Sequence, residues 1–175
     1  DGVRRLCQIA PVIIDESDGT LESYIEAIEF GYRGVSSKNC KGPVKSLLNA
    51  GVTWVANERG TRSEYLMTGE DLCSVGVVPV QADLCLAATL GLDHVERNGH
   101  HYHRGLGYLP EADRSAALAA HGDFYREHAG TVAPCLREGR FEIGSLQCIG
   151  FGFAALPDMN ATVTPADWQA GLREP

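Results

Sequence analysis

No run of apolar residues in this 175-residue sequence approaches the roughly 18 to 20 that are needed to cross a bilayer. The N-terminus also lacks the basic and then apolar pattern of a secretory signal. We therefore predict a cytoplasmic protein with no membrane partner. Because the chain begins at Asp1 and not at Met, we expect that it is processed or is part of something longer.

Basic residues are in the minority, with 15 Lys and Arg against 23 Asp and Glu, so the net charge is −8. Proteins that bind nucleic acid or anionic lipid usually present a basic face, and no basic stripe is visible in this sequence. We expect no nucleic-acid partner. A locally basic pocket for a small anion stays compatible with this charge.

The six cysteines contain no CxxC pair. Their spacing suits neither a zinc ribbon nor a small disulfide-stabilised scaffold, both of which place cysteines at short, regular intervals. We expect most of them to be reduced thiols, as is usual in a cytoplasmic protein.

Hydrophobic residues make up 44% of the chain, which is enough for one domain with a true core. Short apolar segments alternate with amphipathic ones, a pattern typical of parallel βα units. The predicted strands are 11–14, 33–37, 64–68 and 93–97, and the predicted helices are 20–30, 43–56, 77–91 and 112–128. Beyond Gly130 the sequence favours an extended tail or a hairpin.

The predicted fold class is therefore α/β. The two architectures that fit are a small open sheet and the second half of a TIM-type (β/α) barrel, with about four βα units and an extended C-terminal tail. We predict that residues 1–130 form the barrel half and that residues 131–175 form the tail.

Polar residues follow each of the four predicted strands. They are Asp15 and Glu16, the segment from Lys38 to Lys41, Glu70 with Asp71, and the segment from Asn98 to His103. Any one of them also fits a helix N-cap or a solvated loop. Together they are informative, because the carboxyl ends of parallel strands lie on one face, where active sites are built.

These residue types suit a particular chemistry. Carboxylate oxygens are the ligands that Mg²⁺ prefers, and a bound cation can stabilise negative charge developing on a substrate carboxylate. A lysine acts as a base when burial and neighbouring cations lower its pKa. A histidine or glutamate on another strand could serve the opposite face of the substrate.

Four motifs carry a resemblance to a known family: IIDES (13–17), YRGVSSKNCKG (32–42), LMTGEDL (66–72) and HVERNGHHYHRGL (94–106). With them the sequence resembles the barrel domain of the enolase superfamily, in the mandelate racemase and muconate-lactonising group, from its fifth strand onward. The resemblance covers roughly residues 8–150. It implies a lyase or isomerase that removes the α-proton of a carboxylate substrate, such as a sugar acid, and stabilises the enediolate with Mg²⁺.

The resemblance also implies roles for single residues. Asp15 corresponds to the fifth-strand metal ligand, with Glu16 as a second candidate ligand, and Glu70 to the seventh-strand acid. Lys38 corresponds to the sixth-strand lysine, and Lys41 competes with it for the role of base. The eighth-strand loop faces the substrate in this family; it is expected to supply His100 and His101 as catalytic groups, and Asn98 and Tyr102 as substrate contacts.

Several family elements have no counterpart in the chain: two acidic ligands, a second-strand Lys-x-Lys and an N-terminal capping domain. We expect them before Asp1, so the predicted partner is a missing N-terminal half or a second copy in a homo-oligomer. The main rival hypothesis is a non-catalytic remnant or assembly subunit of the same fold. A flavodoxin-like binding domain fits less well, because the acidic DESDG loop would repel a phosphate.

Overall fold

The computed structural model describes residues 2–60, 64–70, 76–96 and 104–161, together with Thr164, Ala166 and Gln169. Its α-helices are α1 (Gly2–Leu6), α2 (Ser23–Phe30), α3 (Pro43–Arg59), α4 (Val78–Thr89) and α5 (Glu111–Ala120). Its strands are β1 (Gly34–Ser37), β2 (Leu66–Glu70), β3 (Val95–Glu96), β4 (Tyr125–His128), β5 (Thr131–Pro134), β6 (Leu136–Arg137) and β7 (Arg140–Phe141).

The main sheet is parallel, in the order β1-β2-β3. The predicted first strand joins it through one parallel bridge between Ile14 and Val35, so four segments run side by side in chain order. A helix follows each of the first three segments. This arrangement confirms the mixed α/β class and the alternation of strands and helices that the sequence predicts.

Two predicted helix boundaries agree closely with the structure. Gly31 ends α2 in the left-handed conformation, with φ of 107°, and its amide donates to the carbonyls of Ala27 and Ile28. Pro43 lies at the first position of α3, where its missing amide hydrogen costs nothing.

The prediction of one helix over 112–128 is wrong in its second half. Helix α5 ends at Ala120, and Tyr125–His128 is instead strand β4, paired antiparallel with β5. The turn between them is formed by Ala129 and Gly130, both with positive φ (50° and 78°), as the twist of a two-residue hairpin requires. This hairpin also spans the predicted domain boundary at residue 130, which stays a prediction.

Two groups of buried side chains form the core. The smaller one joins the first strand, β1 and α2 and consists of Ile14, Tyr24, Ala27 and Val35. The larger one joins α4, α5, the β4–β5 hairpin and the following segment; it includes Val80, Leu84, Leu106, Phe124, Val132 and Leu146. The predicted tail therefore contributes to the larger group of the core.

Within the described ranges, no helix is both long and apolar enough to traverse a membrane. The cysteines in those ranges, Cys7, Cys40, Cys85, Cys135 and Cys148, are all free thiols. This agrees with the prediction that most cysteines are not in disulfides.

Candidate functional site

Three of the four predicted strand ends meet in one charged cluster. Asp15 follows the bridging residue Ile14, Lys38 follows β1, and Glu70 is the last residue of β2. Because these segments are parallel neighbours, their carboxyl ends lie side by side. The structure thus brings together five of the predicted site residues, which we call the strand-end cluster: Asp15, Glu16, Lys38, Lys41 and Glu70.

Lys38 lies at the centre of this cluster. Its Nζ is 2.9 Å from Glu70 Oε2, 3.0 Å from Asp15 Oδ1 and 3.1 Å from Glu16 Oε1. An ammonium group has three hydrogens to donate, so these contacts use all of them. The side chains of Lys38 and Glu70 are only 11% and 6% exposed, whereas that of Glu16 is 78% exposed.

Lys41 contacts the same carboxylate oxygen of Asp15 as Lys38 does. Its Nζ donates to the Asp15 carbonyl oxygen at 2.8 Å, to Asp15 Oδ1 at 3.0 Å and to the Ser36 carbonyl oxygen at 3.3 Å. A short 3₁₀ turn over Asn39–Lys41 aims this side chain back at the strand ends. Two lysines therefore share Asp15 Oδ1.

The charges in the cluster shift one another's pKa values. Burial disfavours the ammonium form of Lys38, but hydrogen bonds to Glu70, Asp15 and Glu16 outweigh it and raise the pKa of Lys38 above its usual range. Burial likewise disfavours ionised Asp15, but hydrogen bonds from Lys41 and Lys38 hold the pKa of Asp15 well below its usual value. Both groups are therefore charged at neutral pH.

Glu70 behaves differently from Asp15. Burial raises the pKa of Glu70, and the neighbouring Asp15 carboxylate adds to this effect, against the lowering effect of Lys38. Ser36, which is also buried, donates from Oγ to Glu70 Oε2 at 3.2 Å. Glu70 is therefore the carboxylate of the cluster whose proton affinity is increased.

The sequence analysis missed a second ion pair beside the cluster. Asp18 is 3% exposed; its carboxylate pairs with Lys45 and accepts a hydrogen bond from Asn49 Nδ2 at 3.1 Å. Lys45 also donates to the Asp18 carbonyl oxygen, so the 15–18 loop is fastened to α3. The sequence feature that could have indicated this ion pair is the spacing of the chain's three lysines, Lys38, Lys41 and Lys45. They lie opposite the three carboxylates of the DESD segment.

The described residues do not by themselves fit a Mg²⁺ ion. Among them, no group of three His, Cys, Asp or Glu side chains is placed to hold a metal. The carboxylates of Asp15, Glu16 and Glu70 instead surround the ammonium group of Lys38, which satisfies the same oxygens that a cation would need. Asp15 and Glu16 could serve as metal ligands only with further ligands and a displaced lysine.

The remaining predicted site residues, Asn98, His100, His101 and Tyr102, lie outside the described residues. Strand β3, which precedes them, is the parallel neighbour of β2. Their predicted roles stay predictions.

A different polar cluster joins His121, Asp123 and Ser145 just after the C-terminal end of α5. Ser145 Oγ donates to Asp123 and lies 3.0 Å from His121 Nδ1, while His121 Nε2 accepts from the Ala154 amide at 3.2 Å. Both ring nitrogens of this fully buried histidine are thus engaged. Ser145 lies between Asp123 and His121 and donates its hydroxyl proton to the aspartate. The histidine therefore does not act as a base on this serine, and the cluster is suited to holding the chain and not to hydrolysis.

Comparison of the chain with known protein families, with curated proteins and with solved structures finds no match.

Proposed function

We propose that this chain is the second half of an enolase-type barrel whose complete form removes the α-proton of a small carboxylate substrate, as a lyase or isomerase. The products open to such an enzyme are those of dehydration, epimerisation or cycloisomerisation. One observation carries the proposal: Lys38 Nζ lies within 3.1 Å of carboxylates from two different strand ends. An ammonium group in that position is suited to an anionic substrate.

The substrate carboxylate would take the place of Glu16. Of the three carboxylates on Lys38, that of Glu16 is by far the most exposed, and an exposed ion pair contributes little stability. Glu16 could therefore swing into solvent at small cost. The buried partners, Asp15 and Glu70, would keep Lys38 in position for the incoming anion.

The pKa directions favour a division of roles. With its pKa raised, Lys38 stays an ammonium ion, which suits it to stabilise the enediolate and not to act as the base. Lys41 is also engaged by three acceptors. Glu70 has a raised pKa and is the better proton acceptor.

In the proposed step the α-proton moves to Glu70. The C–H electron pair becomes the C=C bond of the enediolate, and the negative charge collects on the substrate carboxylate oxygens beside Lys38. In the second half-reaction, His100 and His101 would donate a proton to a leaving hydroxyl, and Asn98 and Tyr102 would contact the substrate.

The resemblance implies Mg²⁺ as cofactor, with Asp15 as the ligand from this chain. Since the described residues do not form a metal site alone, the other ligands would have to come from elsewhere in the assembly.

The sheet gives a reason to expect a partner. Among the described strands, the segment at Ile14 and strand β3 each have a neighbour on one side only. Unpaired edges invite further strands. We propose that an N-terminal barrel half, or a second copy of the chain, supplies them.

One observation favours a different function. Every lysine of the chain is neutralised by carboxylates of the same chain, an arrangement that also suits a purely structural role. The alternative is therefore a non-catalytic assembly subunit of the same fold.

The test is exchange of the α-proton into D₂O, followed by proton NMR on a panel of acid sugars with Mg²⁺. The chain should be inactive alone and active when expressed with the coding sequence upstream of Asp1, which should supply two strand-end acids and a Lys-x-Lys. Lys38→Gln and Glu70→Gln should abolish exchange, and Arg33→Gln, at the opposite end of β1, should preserve it.

Robust exchange by the 175-residue chain alone would refute the half-site. An upstream sequence without those acids, together with no exchange on any acid sugar, would favour the structural subunit.

A further inference from the structure

Two adjacent buried serines of β1 have different partners. Ser36 is 4% exposed and donates from Oγ to Glu70 Oε2 at 3.2 Å. Ser37 is 7% exposed and donates from Oγ to Ser46 Oγ of α3 at 3.0 Å. Successive side chains of a strand point to opposite faces of the sheet, which accounts for the two directions. Of the two serines, Ser36 is therefore the one that contacts the strand-end cluster.

The register of the sheet places Ser36 beside Glu70. Ser36 is the parallel partner of Thr68, and Glu70 lies two residues beyond Thr68 on the same face of β2. The carbonyl oxygen of Ser36 also accepts from Lys41 Nζ at 3.3 Å. The backbone of Ser36 is thus held by the sheet and by Lys41, so its hydroxyl group approaches Glu70 from a fixed support.

The donors that contact the Glu70 carboxylate meet at one of its two oxygens. Lys38 Nζ lies 2.9 Å from Oε2, and Ser36 Oγ lies 3.2 Å from the same atom. A carboxylate has about two lone-pair sites on each oxygen, so these two contacts use the capacity of Oε2. Within the ranges that the structure describes, no donor contacts Oε1.

We infer that Ser36 is a positioning residue for the base: together with Lys38 it occupies Oε2, so that Oε1 is the oxygen of Glu70 that receives the α-proton. The inference rests on the proposed function. In this step the substrate C–H bond breaks and an O–H bond forms at Oε1. The C–H electron pair becomes the C=C bond of the enediolate, and the π electrons of the substrate carboxylate move to its oxygen beside Lys38.

The Ser36 hydroxyl group also favours the form of Glu70 that can accept a proton. Burial and the neighbouring Asp15 carboxylate raise the pKa of Glu70 and so favour its protonated form, which is inactive as a base. A hydrogen bond donated to a carboxylate favours the ionised form. Ser36 therefore acts in the same direction as Lys38, against the effect of burial.

A purely structural role would make the two serines equivalent. Both are buried, both are in β1, and each donates one side-chain hydrogen bond that replacement by Ala removes. Ser37→Ala is therefore the matched control for Ser36→Ala. Ser36→Thr keeps the hydroxyl group and serves as the conservative variant.

The first measurement needs no substrate. In the 175-residue chain carrying ¹³Cδ-glutamate, the Glu70 signal is assigned by its absence from Glu70→Gln and is followed from about pH 3 to about pH 9. Ser36→Ala should raise the pKa of Glu70 by about one unit, because one hydrogen bond to a charged group is lost. Ser37→Ala should leave that pKa unchanged, and Ser36→Thr should restore it.

The second measurement is α-proton exchange by the chain expressed with the coding sequence upstream of Asp1, followed across pH. Ser36→Ala should move the acid limb of the kcat profile to higher pH, which lowers kcat on that limb about tenfold. KM should stay nearly unchanged, since Ser36 contacts the base and not the substrate carboxylate. Ser37→Ala should match the wild type in both parameters.

The outcomes separate this inference from the proposed function. A wild type that exchanges the α-proton, with identical profiles for Ser36→Ala and Ser37→Ala, would overturn the inference and leave the proposed function standing. A Glu70 pKa that Ser36→Ala does not move would overturn it as well. No exchange by the wild-type assembly would refute the proposed function and this role of Ser36 with it. If circular dichroism shows that Ser36→Ala does not fold, Ser36→Cys takes its place, because a thiol is only a weak donor.

Discussion

Lys38 Nζ lies 2.9 Å from Glu70 Oε2, so the end of β1 and the end of β2 are joined by a largely buried ion pair. Asp15 and Glu16 approach the same ammonium group from the neighbouring strand end. The cluster thus balances charges that are costly to bury singly. Its behaviour can be measured directly, because the chain has only three lysines.

The first prediction concerns the titration of those lysines. In protein carrying ¹³Cε-lysine, three Cε signals should be followed through alkaline pH. Lys38 should titrate above the usual value of about 10.4, since its hydrogen bonds to three carboxylates favour the charged form.

Replacing Glu70 with Gln should lower the pKa of Lys38, and Arg33→Gln should not change it. A Lys38 that titrates at or below the usual value would contradict the geometry and would restore it as a candidate base. The stabilisation of the fold by Lys38 is complete below about pH 10, and it is lost as pH rises through the folded-state pKa of Lys38.

The second prediction concerns acid. The pKa of Asp15 is held below its usual value of about 3.9. Its pairing with the lysines therefore stabilises the fold above that pH, and this stabilisation is lost as pH falls through the folded-state pKa. Chemical denaturation between pH 5 and pH 2 should show this loss. Asp15→Asn should flatten the pH dependence in that window, and an unchanged slope in the variant would show that other carboxylates are responsible.

The third prediction concerns the buried pair of Asp18 and Lys45. Asp18→Asn or Lys45→Met alone should cost about 3–5 kcal/mol, since each leaves a buried charge without its partner. The double variant should lose much less than the sum of the two. Denaturant unfolding of the four proteins measures this coupling, and simple additivity would mean that the pair contributes nothing specific.

The fourth prediction concerns His121. Burial lowers the pKa of His121, and the ring accepts a hydrogen bond from the Ala154 amide only when it is neutral. The stability from this contact is present above the usual histidine pKa of about 6.5 and is lost as pH falls through the lower folded value.

The protection of the Ala154 amide against hydrogen exchange, relative to its intrinsic rate at each pH, should therefore fall in mild acid. The charged groups facing the ring include Asp123, which favours protonation. In His121→Gln this pH-dependent loss of protection should disappear; if it persists, the histidine is not its cause.

Much of the site could be predicted because strand ends are set by local pattern. PVII and GVSS are short segments that lead directly into charged residues, and LMTGE ends on one; parallel pairing then brings Asp15, Lys38 and Glu70 together. The sequence could not predict that Lys38 would neutralise all three carboxylates, because that depends on the side-chain directions of neighbouring strands.

The faces of the helices were harder to predict. The apolar residues of α3, such as Leu47 and Trp54, fit a core-facing stripe by periodicity alone, yet the buried positions are Ser46 and Asn49. Periodicity shows that the apolar residues share one side of a helix, but it does not show what packs against that side. The same limit applies to Asp18, which belongs to the polar DESDG loop by sequence but whose carboxylate is buried against Lys45.

The most direct test of the proposed function is a carboxylate titration of the ¹³Cε-lysine protein. A small sugar acid should replace Glu16 at Lys38, so the Lys38 signal should shift saturably while that of Lys45, sealed against Asp18, stays in place. Glu16→Gln should tighten the binding by removing the competing carboxylate, and Lys38→Gln should abolish it. A Lys38 signal that no carboxylate moves, or equal shifts at all three lysines, would contradict the account.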